Sequence, residues 1–525
     1  MQTKRLITLF ILFSISLGQI SCQKGKDVPA KPLGGILTIG QITMPKTLNP
    51  VLEVSGVSSQ LVDIIFDGLI RLGEQGEILP GLAVSWEMKN GGQQWIFHLR
   101  RGVKFHDGHP FTARDVEFTL NLVTDPRMKS GYAHYLRQIK KMTVRDSYTL
   151  VIQLVSPSTS FIYAFTLGIL PRHLLEGEDI LHTSFNYQPI GTGPFRLIRW
   201  SPDRVELGAN QDYFLGRPYL DRVVVRLFNN QRLVWAYMMK GEIDAFQLLD
   251  PAAYEVIRKI SRFRVYSALR PYYYIIGFNL TNPLFQDRRV RRALNYAINK
   301  ECIIKKVLKG RGMAASGTIF PSSWAFDARC KPFPYDPHRA LELLKEAGWQ
   351  DTDGDHILDK SGQPFEFQLY LPEGHDELET SSLMIVDQLS NIGIIVRIRK
   401  FPMEIINQKY LLTREFDAAF LYIDSGSAPE KNNEFWHSSQ IRDGFNFFSY
   451  HNPRIDQLLD QGRCTFAQEQ RKIIYDRYQE EMKEDPPCLF LFWRQYLLGV
   501  NERFHGVHIS PFGGLLNNIR EWYKK

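Results

Sequence analysis

The sequence predicts an α/β protein of at least two lobes built on mixed sheets, and three observations predict it. Its 525 residues exceed what one hydrophobic core supports, since cores stop growing at roughly 250–300 residues. Strand-like and helix-like patterns follow one another without strict alternation, which argues for mixed rather than purely parallel sheets. Two runs, 271–280 and 489–498, are long and apolar-aromatic, as strands buried on both faces are.

The elements follow in chain order. An opening strand is expected over 35–43, where Leu37 and Ile39 interleave with Thr38 and Gly40. Pro45 and Pro50 bound a loop, and Leu61, Ile64, Ile65 and Leu69 show the spacing of a helix over 59–69. Asn90-Gly91-Gly92 between strands at 83–88 and 94–99 marks a hairpin. Thr112 is placed to cap a helix over 113–123, with Asp115 in its first turn. Asp146-Ser147 turns a second hairpin within 142–154. Further strands are expected at 195–200, 204–209, 222–228, 396–399 and 418–423. Helices are expected at 233–239, 289–299, 337–347, 381–392 and 469–483.

Residues 1–21 stand apart from the fold as a signal peptide. Lys4 and Arg5 precede an apolar run over 6–17, broken only by Thr8, Ser14 and Ser16. That run falls short of the ~20 residues a membrane-spanning helix needs. Gln19-Ile20-Ser21-Cys22 resembles a bacterial lipobox, although Gln19 stands where an apolar residue is usual. Lipidation of Cys22 and a polar tether over 22–34 are therefore expected, holding the protein in the periplasm or on the outer face of the cytoplasmic membrane. Loss of Lys4 and Arg5 takes the formal charge from +8 to +6. The remaining basic residues are interspersed with acids and form no nucleic-acid footprint. Cys302, Cys330, Cys464 and Cys488 allow three complete pairings. Buried free thiols fit the sequence equally well.

The segment 79–118 reads LPGLAVSWEMKNGGQQWIFHLRRGVKFHDGHPFTARDVEF. It resembles the signature region of the bacterial family 5 extracellular solute-binding proteins, the oligopeptide- and dipeptide-binding group. The resemblance continues at 189–195 (PIGTGPF), 210–214, 241–244, 290–294 and 450–456, and so runs from about residue 35 to the C-terminus. It implies a type II periplasmic-binding-protein fold, with two lobes built from three domains with mixed sheets and two crossing strands. Domain I would comprise 35–50, 186–275 and 495–525, domain II 51–185, and domain III 276–494. The implied function is that of an ABC-transporter substrate-binding lipoprotein, capturing short peptides by lobe closure and delivering them to a permease. Such a protein acts as a monomer, without catalysis, cofactor or bound metal. A relative binding a nickel chelate, an oligosaccharide or an opine-like compound is the alternative within the family. A peptide-sensing or chaperone-like lipoprotein is the alternative outside transport.

An extended peptide is held by pairing its backbone with an exposed strand edge. The resemblance places that edge at 416–424 and makes Tyr422, Ile423 and Asp424 candidates, with Asp424 as anchor for the peptide's α-ammonium group. The loop after Leu48-Asn49-Pro50 supplies Val54, Ser55 and Gly56 from the opposite side. Of Tyr272-Tyr273-Tyr274, alternation lets at most one or two face a cleft, and Tyr273 is the candidate. Trp436 is a further one. His106 within Phe105-His106-Asp107-Gly108 reads as turn scaffold rather than catalyst. Asp351-Thr352-Asp353-Gly354-Asp355 resembles a calcium loop, but Gly362 stands where the bidentate glutamate belongs, so no metal is assigned. No G-x-S-x-G, P-loop or H-E-x-x-H motif occurs.

Overall fold

Residues 31–52, 57–74, 76–247, 251–512 and 514–525 are described by the structure, a computed structural model. Among them the main sheet holds eleven strands. One half starts from Ile36–Gln41, whose Leu37 and Ile39 are buried. This strand pairs in parallel with Arg222–Leu227 and Ala245–Gln247. The hairpin of Phe195–Ser201 and Arg204–Ala209 carries the sheet to its outer edge. The other half contains Ala418–Asp424, Glu366–Pro372 and Ile395–Phe401. Two long antiparallel strands, Phe263–Phe278 and Cys488–Asn501, run through both halves and make them one sheet.

These are the crossing strands, and each is longer than expected. The extra stretch of the first, 263–270, mixes Arg264, Ser267 and Arg270 with apolar residues and is mostly half-exposed, so it lacks the signature of two-sided burial. The pairing of the two strands is interrupted midway. Leu269 faces Gln495 and Tyr273 faces Trp493, so four steps on one strand match two on the other. Pro271 lies in that slack, where a missing N–H costs no ladder hydrogen bond. The strands can bend here with least loss of pairing.

A separate four-stranded antiparallel sheet runs in the order Ala83–Lys89, Gln94–Leu99, Thr149–Leu154, Ile139–Asp146. Its first turn, Asn90–Gly92, has positive φ at all three residues. A Cβ on Gly92 would come within 2.2 Å of the Phe466 ring, so glycine there lets the turn approach the other lobe closely. The helix Ala113–Val123 forms over the expected residues. Asp115 Oδ2 accepts from Thr112 N at 2.8 Å, and the Thr112 hydroxyl accepts from Arg114 N at 3.3 Å.

Three large cores follow from this layout. The first joins the helix Val57–Ile65, the four-stranded sheet and the first half-sheet through Leu61, Phe97, Val116, Phe165 and Val225. The second and third cover opposite faces of the other half-sheet. Along the crossing strand, Ile276 and Phe278 enter one of them while Tyr273 and Ile275 enter the other, as strand alternation requires. The helix expected over 59–69 ends at Ile65, because the carbonyls of Gly68 and Leu69 are taken by Leu82, Gly81 and Ala83. The helix expected over 381–392 spans Asp376–Ser390, its first turn filled by Asp376, Glu377 and Glu379. Among the described residues no helix is long and apolar enough to cross a membrane. Cys302, Cys330, Cys464 and Cys488 are free thiols.

Candidate functional site

The strand Ala418–Asp424 pairs along its whole length with the crossing strand, from Phe278↔Ala418 to Tyr272↔Asp424. On its other side it meets Glu366–Pro372 only at Ala418 and Ala419. From Phe420 onward, no described strand pairs with that side. An extended chain entering there finds backbone donors and acceptors at strand spacing.

The surface beside this edge is aromatic. Tyr422 is half exposed, at 50%. Its ring meets Tyr272 edge-on at 5.7 Å and Tyr274 at 5.6 Å, and Tyr274 stacks on Phe492 at 5.0 Å. The Arg270 guanidinium lies 4.8 Å from the Tyr272 ring centre and 3.7 Å from that of Tyr496.

Tyr273 does not join them. It is 1% exposed, in the third core, and its hydroxyl accepts a hydrogen bond from Trp436 Nε1 at 2.9 Å. Trp436 is itself fully buried, stacked on Phe448 at 5.5 Å. Both candidates are therefore core residues in this conformation. The reason is parity: Trp436 and Trp493 pack on one face of the crossing strand and take Tyr273, which turns Tyr272 and Tyr274 to the other. Ile423, also named from the sequence, is buried among the same residues as Tyr273. Cys22, Val54, Ser55 and Gly56 lie outside the described residues.

Asp424 stands at the end of the free edge, but it is occupied. Its Oδ1 accepts from Gly426 N at 2.9 Å, and its Oδ2 accepts from Lys431 Nζ at 2.8 Å. Burial disfavours the charge on Lys431, yet Asp424, with Tyr135 and Glu434, more than offsets it and holds the ammonium above its ordinary range. Lys431 carried no sequence signal, since a lysine seven residues on from an aspartate is common.

Next to Lys431 the two lobes touch. Thr159 Oγ1, from the lobe of the four-stranded sheet, donates to Glu430 Oε1 at 2.8 Å. The same oxygen receives Arg471, whose guanidinium stacks on Trp324 at 4.6 Å. Glu430 is buried and Arg471 nearly so. His134 Nε2 lies 2.8 Å from Glu434 Oε1 across the same boundary.

His106 is structural, as the turn reading expected. Its Nε2 donates to Gly193 O at 3.0 Å and its Nδ1 accepts from Gly191 N at 3.2 Å. Burial pushes its pKa down to about 4, against the smaller effect of the Gly193 bond. Asp351, Asp353 and Asp355 bring carboxylate oxygens within 4.8 Å of one another on an exposed loop. Asp351 accepts from Gly354 N at 2.7 Å and His356 N at 3.1 Å, which accounts for the cluster as a turn. A groove of about 880 Å³ between Tyr187 and Trp200 borders the outer-edge strand Phe195–Ser201, five strands from Cys488–Asn501, and is not this site.

Comparison with known proteins agrees with the two-lobed architecture. The profile of the bacterial extracellular solute-binding proteins, family 5, matches residues 77–445. The oligopeptide-binding protein AppA of Bacillus subtilis is 30% identical over 99% of this chain and 98% of its own. The structure of B. subtilis AppA in complex with a nonapeptide superposes with a TM-score of 0.80 at 29% identity, covering 94% of this chain and 100% of that one. NikZ from Campylobacter jejuni in complex with Ni(L-His) superposes with a TM-score of 0.79 at 27% identity, covering 93% and 99%. With its profile match over most of the length and its crossing strands in a shared sheet, the chain belongs to the bacterial extracellular solute-binding proteins of family 5.

Proposed function

We propose that this protein captures short peptides outside the cytoplasm and delivers them to the permease of an ABC importer. The observation that carries the reading is the unpaired edge of Ala418–Asp424 from Phe420 onward. Such an edge binds any peptide backbone, and the neighbouring Tyr272, Tyr274 and Tyr422 supply apolar surface for side chains without demanding one sequence. AppA's nonapeptide complex supports the same ligand class. In this reading the slack at Leu269–Tyr273 is the hinge, beside the domain boundaries at 275/276 and 494/495. Domain I (35–50, 186–275, 495–525) and domain II (51–185) close on domain III (276–494). Ligand binding stabilises the closed form because only that form contacts the ligand from both sides. The work is binding, not catalysis. Cleavage after residue 21 and a lipid on Cys22 would tether a monomer to the membrane.

A second reading has one specific observation behind it. Lys431 already pairs with Asp424, so the expected ammonium anchor is engaged, and NikZ of similar fold holds a metal chelate. Native mass spectrometry of protein purified without denaturation decides between them. Co-purifying short peptides support the first reading; a single chelate or sugar replaces it with the second.

A further inference from the structure

The half-sheet that opens the chain turns one face to the first core, through Leu37, Ile39, Val205, Leu207, Val223 and Val225. The residues between them project from the opposite face, where partners on adjacent strands stand side by side. One row there runs Ile36↔Arg222↔Gly208↔Arg196. The pairing slips after Leu197, and Ile198 lies over Gly208, its Cδ1 2.8 Å from where a Cβ there would stand. Arg199 then faces Glu206. The helix Gln231–Lys240 covers the far end of this face, where Val234 packs on Gly40.

The near end is apolar and basic together. Ile36, Ile198 and, just before the first strand, Leu33 are exposed. So is Tyr187, whose ring meets Trp200 at 5.5 Å along the groove at the outer edge. Arg196, Arg199 and Arg222 are exposed too, and among the described residues they form no ion pair. The carboxylates beside them are engaged elsewhere. Glu206 lies 3.6 Å from Arg204, which also holds Asp203 at 3.1 Å. Asp221 takes Arg217 and accepts from Gly35 N at 3.2 Å. Singly exposed apolar residues are ordinary, but a group of them on one face marks a contact surface. Guanidinium groups set among aliphatic side chains, with a tyrosine and a tryptophan at the margin, match the layer between phosphate headgroups and acyl chains.

The place where the described chain begins points to the same partner. From residue 31 it enters the sheet at Ile36, in the row that ends at Arg196. Three strand spacings, about 14 Å, separate those two residues. Cys22, which carries the lipid in the reading above, precedes residue 31 by nine residues, and nine residues span at most about 30 Å. A lipid there brings this face within reach of the leaflet. We propose that the face docks flat on an anionic membrane surface, with Arg196, Arg199 and Arg222 on lipid phosphates and Leu33, Ile36, Tyr187 and Ile198 in the interfacial layer. The tether supplies the reach; the affinity comes from the face itself. Docked in this way, the protein rests on the half-sheet of its first strand, and the lobe carrying Ala418–Asp424 stays free to close.

The test is vesicle sedimentation of the chain from residue 22, with Cys22→Ser so that no attached lipid contributes. Vesicles of phosphatidylcholine alone are compared with an equal mixture of phosphatidylcholine and phosphatidylglycerol. The otherwise unchanged chain should bind the mixture at least about tenfold more tightly, since each basic residue near an anionic surface contributes about fivefold. Raising salt to about 0.5 M should remove the difference. Arg196→Glu, Arg199→Glu and Arg222→Glu together should abolish the preference, and Arg196→Lys, Arg199→Lys and Arg222→Lys should keep it. Lys305→Glu, Lys306→Glu and Lys309→Glu, an equal change of charge on exposed residues of the other lobe, should leave most of it. Tyr187→Ser with Ile198→Ser should weaken binding to the mixture severalfold. Equal binding to both vesicles overturns the proposal, as does a preference that survives the three glutamate substitutions at Arg196, Arg199 and Arg222. A dimer in analytical ultracentrifugation that Ile198→Ser dissociates would give the face to a second copy of the chain and overturn it too. Mass spectrometry of the exported full chain separates this surface from the tether. Cys22 without lipid, alongside the expected vesicle preference, removes the tether and leaves the surface; acylated Cys22 with no preference does the reverse.

Discussion

Replacing Tyr273 by Phe removes one oxygen and tests which face of the crossing strand meets the ligand. The hydroxyl accepts from Trp436 Nε1 at 2.9 Å, with Tyr273 1% and Trp436 0% exposed. Removing the acceptor leaves a buried indole N–H without a partner, at a cost of about 1–3 kcal/mol. For a cooperative unit of about 150–250 residues, each kcal/mol lowers the melting temperature by roughly 2–4 °C. Thermal unfolding followed by tryptophan fluorescence should therefore show a drop of several degrees, while peptide affinity measured by calorimetry changes less than twofold. Tyr272→Ala should do the reverse. Its ring lies against the exposed Tyr422, so peptide affinity should fall at least tenfold with little change in melting. Unchanged melting in Tyr273→Phe together with a tenfold loss of affinity would refute the assignment of faces and, with it, the register of the crossing strand.

Four further outcomes are expected. His106 titrates near 4 when folded, against 6.5 as its reference value, so between those values the unfolded chain binds more protons and stability rises with pH. The stability gained by pH 7 is up to about 3 kcal/mol, and His106→Gln should flatten that part of the pH profile in chemical denaturation. Glu430→Gln leaves Arg471 buried without its anion and should destabilise by about 3–5 kcal/mol. Thr159→Val removes the Thr159 hydroxyl's bonds across the boundary to Glu430 and Arg463 while leaving His134 against Glu434, and should raise the radius of gyration in X-ray scattering, with melting little changed. Gly191→Ala sets a Cβ 2.0 Å from the Ile65 carbonyl oxygen and should cost about 1–3 kcal/mol through overpacking, read from denaturant midpoints.

The strands and helices of the first lobe were legible because their signals are local. Thr112 with Asp115 caps its helix through groups three residues apart, and Asn90-Gly91-Gly92 supplies the positive φ values its turn needs. The motif PIGTGPF was visible as a pattern, but its purpose was not. Gly191 and Gly193 are glycines because the Ile65 backbone passes against them, a contact more than a hundred residues away in sequence.

What the sequence by itself determined was the family, the mixed-sheet class and the two apolar runs that become crossing strands, all of which depend on residues near one another in the chain. Only the tertiary structure decided which of three consecutive tyrosines is buried in the core and that Lys431 has already claimed Asp424. The physical reason is common to both. A strand's parity is set by what packs against it, and a charge's availability by what stands opposite it; Trp436 and Lys431 reach these residues through the fold, not through the local sequence pattern.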